Sequence, residues 1–194
     1  MLEPRVVVAV FGVIFIAELP DKTAVTALIL ATHYRALPVF LGSALALVIQ
    51  SLVAVAAGGL LGLLPARPVH IGAGILFIVS ALLMWREAAE GGAVEDVDDT
   101  PRRNSFAAAF LKSFTVIFLA ELGDVTQLGT AALAARFRAP LSVFVASAAA
   151  LVLVSALAVF LGNRLKRLID PKRVQRVAAV VFGLLGAAFV AGVL

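Results

Sequence analysis

The chain is built of long apolar blocks separated by short polar breaks, and this pattern predicts membrane-spanning helices. The apolar residues neither alternate with polar ones nor keep to one face of a helix, as they would in a soluble domain. Because a helix needs roughly 20 apolar residues to cross the hydrocarbon, the pattern predicts six spans. They cover residues 5–32, 38–63, 69–87, 106–135, 139–162 and 174–193.

One hydrophilic segment, residues 88–105, divides these spans into two groups of three. It contains several acidic residues, and its composition is typical of a solvated connector. A metal-sensing or gating loop is the alternative interpretation. The predicted organisation is therefore a three-helix repeat over residues 1–87, an acidic linker over 88–105 and a second three-helix repeat over 106–194.

The two groups of spans share a sequence pattern at a fixed spacing. Residues 11–19 (FGVIFIAEL) align with residues 114–122 (FTVIFLAEL), 103 positions later, and such identity indicates an internal repeat. Because each repeat has three spans, the second must cross the membrane in the opposite direction. The first and fourth spans are longer than a membrane requires, so each is expected to be tilted or broken. The predicted fold is an all-α membrane protein of two inverted three-helix repeats, with the first and fourth helices broken or kinked.

Composition supports the membrane assignment. Of the 194 residues, 62% are hydrophobic and 14% are charged, whereas a soluble domain has roughly 25% charged residues. The absence of cysteine excludes disulfides and thiolate metal sites. The net charge of +4 does not indicate a nucleic-acid partner, because the basic residues lie in short loops. Ten Lys and Arg residues fall on one side and four on the other, which predicts a cytoplasmic linker and both termini outside.

Two short runs place acidic residues deep inside apolar spans: ELPDKT at residues 18–23 and ELGDVT at residues 121–126. A charge in the hydrocarbon costs at least about 2.5–3.5 kcal/mol, so such a residue is expected to be functional. In each run the two acids are three residues apart and share a helix face. An inverted repeat would bring all four acids together near the membrane midplane. In the middle of the second run, Gly123 permits unusual backbone dihedrals and a local break.

These residue types suit a hard divalent cation, because Mn²⁺ and Ca²⁺ prefer oxygen ligands. Four ionised carboxylates beside Lys22 would carry a net charge of −3, so some must hold protons when no metal is bound. An entering cation would displace those protons, which predicts metal–proton exchange. The alternative is a structural role, with the acids paired to Lys22, Lys112 or each other. The predicted cation ligands are Glu18, Asp21, Thr23, Glu121, Asp124, Thr126 and Gln127.

With these two motifs, three spans in each half and the acidic linker, the chain resembles the two-repeat calcium/manganese:proton exchanger family, which includes Golgi transporters and bacterial manganese exporters. The resemblance implies that the four motif acids bind the cation, that Thr23 and Thr126 occupy the family's hydroxyl position, and that the protein lies in a bacterial plasma (inner) membrane. The chain departs from the family motif at Pro20, which replaces a Gly, and at Val125, which replaces a Lys or Arg. The second departure leaves a more negative site.

The predicted function is a secondary transporter that exchanges Mn²⁺ or Ca²⁺ for protons, with the cation as substrate and no cofactor. The alternative is a proton-coupled exporter of a cationic amino acid or another small solute. No enzyme is predicted, because no nucleophile–base pair or open metal frame is present. The expected partners are the cation, protons and the lipid bilayer, and the sequence leaves open both the choice of cation and homo-oligomerisation. Gln50, Ser51, Ser147 and Ser155 either line the path or serve helix packing, and Gly58-x-x-x-Gly62 predicts close helix contact.

Overall fold

Every regular element in the part of the chain that the structure describes is helical, with no strand. This computed structural model describes residues 2–19, 22–61, 63, 65–90, 105–161 and 171–192. The helices are α1 (Pro4–Glu18), α2 (Lys22–His33), α3 (Ala36–Leu61), α4 (Ala66–Glu90), α5 (Phe106–Ala120), α6 (Val125–Phe137), α7 (Pro140–Ala156), which continues as a π-helical turn (Leu157–Leu161), and α8 (Pro171–Val190). The prediction of an all-α protein is confirmed.

The helices follow the six predicted segments, and the two long segments are each divided in two. In the first segment, α1 ends at Glu18 and α2 begins at Lys22. In the fourth, α5 ends at Ala120 and α6 begins at Val125. Both interruptions therefore fall at the acidic motifs. α4 runs three residues into the predicted linker, and residues 91–104 of that linker lie outside the described residues.

Two of the described helices are long and apolar enough to cross a membrane, by length and composition. These segments are Ala36–Leu60 in α3 and Pro140–Leu161, which joins α7 to its π-helical turn. Helices α4 and α8 expose large apolar side chains such as Leu82 and Leu184. A soluble monomer rarely exposes extensive apolar surface, so these faces suit contact with lipid.

The two halves of the chain pack against each other in a reciprocal way. α3 of the first half contacts α5 and α6 of the second, whereas α7 of the second half contacts α1, and its π-helical turn contacts α2. α3 and α7 also contact each other, and α4 packs along α8. The helices that carry the acidic motifs are thus each held by the partner half.

Small residues allow these helices to approach closely. A Cβ atom added to Gly58 of α3 would lie 2.2 Å from the carbonyl oxygen of Ala131 in α6, and one added to Gly42 would lie 2.3 Å from that of Phe110 in α5. Gly74 of α4 and Gly186 of α8 face each other in the same way. The predicted close contact is confirmed at Gly58, and Gly62 lies outside the described residues.

Candidate cation site

A hydrogen bond joins the two acidic motifs. Thr23, in the first turn of α2, donates from its hydroxyl to Oε1 of Glu121, which caps the C-terminus of α5, although the two residues are 98 positions apart. Both side chains are buried, with exposed fractions of 4% and 3%. Glu18, the last residue of α1, is 1% exposed and lines a small cavity together with Thr23. Thr23 therefore lies next to both glutamates, because it donates to Glu121 and lines the same cavity as Glu18.

The interruption between α5 and α6 depends on Gly123 and Asp124. Gly123 has a φ of +75°, in the left-handed region that glycine adopts without steric cost, as its place in the sequence predicts. Asp124 is the N-cap of α6, and its Oδ2 accepts from the backbone N–H of Thr126 (3.4 Å) and from the Thr126 hydroxyl (3.2 Å). Capping fixes the carboxylate at the positive end of the α6 dipole.

Two glutamine side chains bridge this interruption. Oε1 of Gln127 accepts from the backbone N–H of Gly123 at 2.7 Å, and its Nε2 donates to Oε1 of Gln50 in α3. Nε2 of Gln50 in turn donates to the carbonyl of Phe118 at 2.8 Å. That carbonyl belongs to the last turn of α5, where helix carbonyls lose their internal donors. The glutamine bridge thus satisfies a carbonyl in the last turn of α5 and an N–H group within the break.

The glutamine bridge makes a prediction about stability. Gln50→Val should lower the free energy of unfolding by about 1–3 kcal/mol, because it removes the partner of the partly buried Phe118 carbonyl and the partner of Nε2 of Gln127. The double variant Gln50→Val/Gln127→Ala should lose less than the sum of the two single losses, because it removes both amides of the bridge. Denaturant unfolding of the four proteins in detergent measures this coupling. Strictly additive losses would show that the two amides act independently.

Four further buried serines on α3 and α7 form two groups. The hydroxyls of Ser51 and Ser147 lie 2.5 Å apart, and Ser147 also donates to the Val143 carbonyl, so this pair serves helix packing. Ser155 lines the same cavity as Glu18, together with Ser43. Ser43 is absent from the predicted site. A second pair of matching sequence stretches could have revealed Ser43, because VFLGSALAL at residues 39–47 matches VFVASAAAL at residues 143–151.

The structure describes only some of the other charged residues named in the sequence analysis. Asp21 and Pro20 lie outside the described residues, as does the side chain of Lys22. Lys112 holds its amine 5.8 Å from the centre of the Tyr34 ring, and nine residues of helix separate it from Glu121 by roughly 13 Å. In the described ranges, no three His, Asp or Glu side chains form a group that could hold a metal. The convergence of all four acids therefore stays a prediction.

Comparison with known proteins identifies the family. The model of the family described as "Divalent cation/proton antiporter GDT1" matches the chain over residues 6–92 and 109–193. The chain belongs to the GDT1 family. The resemblance inferred from the motifs is thereby confirmed. Each of the two matched stretches contains one of the acidic motifs.

Relatives in the GDT1 family span several kinds of organism. A GDT1-like protein of Synechocystis is 31% identical over 136 residues, which cover 63% of this chain and 66% of that protein. A GDT1-like protein of Schizosaccharomyces pombe is 26% identical, over 89% of this chain and 84% of its own length. The chloroplastic PAM71-homolog of Arabidopsis thaliana is 29% identical over 95% of this chain, which spans only 59% of that relative. No solved structure matches the chain.

Proposed function

We propose that this member of the GDT1 family exchanges Mn²⁺ or Ca²⁺ for protons at a site built from both acidic motifs. The observation that carries the proposal is the hydrogen bond from Thr23 to Glu121. It joins the two motifs in a buried setting, next to the helix interruptions where backbone oxygens become available. Carboxylate, hydroxyl and carbonyl oxygens are the ligands that these cations prefer.

In the proposed transporter, the ligands are Glu18, Asp21, Thr23, Glu121, Asp124, Thr126 and Gln127. Glu18 and Glu121 are almost fully buried, and a buried ionised carboxylate is costly unless a cation or a proton neutralises it. Loading with metal and loading with protons are therefore alternative ways to neutralise the same groups. This competition is the physical basis of exchange.

The proposed architecture comprises six membrane spans in two inverted repeats, with both termini outside and the acidic linker in the cytoplasm. The reciprocal packing of the two halves supports it, because each interrupted helix pair lies against helices of the other repeat. Interrupted helices at membrane depth, placed where two repeats meet, are typical of substrate sites in secondary transporters. The bacterial plasma membrane is the proposed location.

The experiment is a proton-movement assay with purified protein in liposomes that contain a pH-sensitive dye. External Mn²⁺ or Ca²⁺ should drive protons out of the liposomes, because entering metal displaces them from the carboxylates; protein-free liposomes are the control. Cation uptake without proton movement would contradict exchange and indicate a uniporter or channel. Proton movement driven by arginine or lysine, but by neither metal, would support the alternative exporter of cationic solutes.

A further inference from the structure

A small cavity lies beside Glu18, on the first repeat's side of the site. Its polar lining consists of Glu18, Thr23, Ser43 and Ser155, and it has about 10 Å³ of room for a water-sized particle. A single water molecule needs a volume of about this size, roughly 10–15 Å³. The cavity is therefore large enough for one water and too small for a hydrated ion.

The two serines that line the cavity have no hydrogen-bond partner within the described residues. Ser43 of α3 and Ser155 of α7 have exposed fractions of 0% and 3%, and the hydroxyl oxygen of each is without a partner. A buried hydroxyl that makes no hydrogen bond costs about 1–3 kcal/mol. Buried polar groups of this kind are usually satisfied by an ordered water or an ion.

Comparison of the two repeats explains why the cavity exists on this side. The residues equivalent to Ala24 of the first repeat and Val154 of the second are Gln127 of the second repeat and Gln50 of the first, whose amides form the glutamine bridge beside the second motif. Ala24 and Val154 both line the cavity. The smaller apolar side chains therefore leave space beside the first motif, where the equivalent positions beside the second motif hold two amides.

The serine pairs differ between the two sides of the site in the same way. Ser51 and Ser147 occupy positions equivalent to Ser155 and Ser43, and their hydroxyls contact each other directly. The site is thus asymmetric, with one side closed by side chains and the other open to a single small ligand.

We propose that this cavity binds one water molecule through Ser43 and Ser155, and that this water is a ligand of the transported cation. The inference rests on the proposed function and adds a basis for selectivity. Mg²⁺ loses its hydration waters reluctantly and usually keeps several of them. A site with room for one water therefore favours Mn²⁺ or Ca²⁺ and discriminates against Mg²⁺.

The test combines transport with direct observation of the water. Ser43→Ala and Ser155→Ala should each raise the half-saturating Mn²⁺ concentration in the liposome assay about fivefold, as expected for one lost hydrogen bond. Val154→Gln, which introduces into the cavity the side chain found at the equivalent position of the first repeat, Gln50, should displace the water and have a similar effect. The matched control is Ser113→Ala, because Ser113 is also buried and without a partner in the described part of the chain but does not line the cavity.

A high-resolution structure of the protein in lipid should show density within hydrogen-bond distance of both serine hydroxyls, and the double serine variant should lack it. Absence of this density, or serine variants that behave like Ser113→Ala, would overturn the inference. If the native protein moves no protons in response to any divalent cation, the proposed function fails. In that case the density between the two serine hydroxyls still tests the water site separately, because its presence supports the site and its absence overturns it.

Discussion

Replacing Glu121 by glutamine should reduce Mn²⁺-driven or Ca²⁺-driven proton movement at least about 100-fold, because removal of one partner from a buried ionic contact costs about 3–5 kcal/mol. The Glu121 carboxylate is buried and accepts the hydrogen bond from Thr23. The amide oxygen of glutamine can still accept that bond, so the fold should persist while the charge that attracts the cation is lost. Proton flux into or out of dye-loaded liposomes measures the effect.

The matched control is Glu3→Gln. Glu3 precedes α1, its side chain is exposed, and its backbone N–H, rather than its carboxylate, donates to Ser142. This variant undergoes the same chemical change and should retain native flux. Native flux in both variants would show that the Glu121 charge is not needed for transport. A monodisperse elution profile for both proteins would exclude misfolding as the cause of a difference.

Gly58→Ala should destabilise the protein by about 3 kcal/mol, at the upper end of the usual cost of overpacking. The new methyl group would lie 2.2 Å from the carbonyl oxygen of Ala131 and 2.7 Å from Cβ of Ala134, so α3 and α6 would have to separate. Because α6 also carries Asp124 and Gln127, transport should fall together with stability. Denaturant unfolding in detergent, followed by circular dichroism, measures the loss.

Gly59→Ala is the control for this prediction, since a Cβ atom at the adjacent helical position would meet nothing within 4 Å. Alanine is favoured over glycine inside a helix by up to about 1 kcal/mol, so this variant should be as stable as the native protein or slightly more stable. If both alanine variants unfold at the same denaturant concentration, the close approach of α3 and α6 is not a feature of the folded protein.

The sequence was sufficient for the helical segments because they depend on local properties. The apolar blocks predict helices independently of tertiary contacts, and the described helices follow the six predicted segments. The interruption at residues 121–124 was also predictable, because only glycine readily adopts the positive φ found at Gly123. The duplicated motifs were specific enough to identify the family.

The glutamine bridge and the serine pairs were beyond the sequence-based prediction. Gln50 and Ser51 are neighbours on α3, yet Gln50 donates to the Phe118 carbonyl beside the break between α5 and α6, while Ser51 contacts Ser147 of α7. Which neighbour each side chain meets depends on the rotation and crossing of the helices. Residue type and spacing within one helix do not specify those quantities.

By itself, then, the sequence determined the all-α fold class, the family and the two runs of costly acidic residues, because apolar length and motif spacing are properties of the chain. The tertiary structure decided that Thr23 bonds to Glu121 across 98 residues, that Gln50 supports the second break, and that Ser43 and Ser155 face a cavity beside Glu18. The physical reason is that these contacts arise where helices of the two halves pack against each other, α2 against α5 for the first contact and α3 or α7 against the opposite half for the others. Small side chains at those crossings, Gly58 among them, set how closely the helices approach.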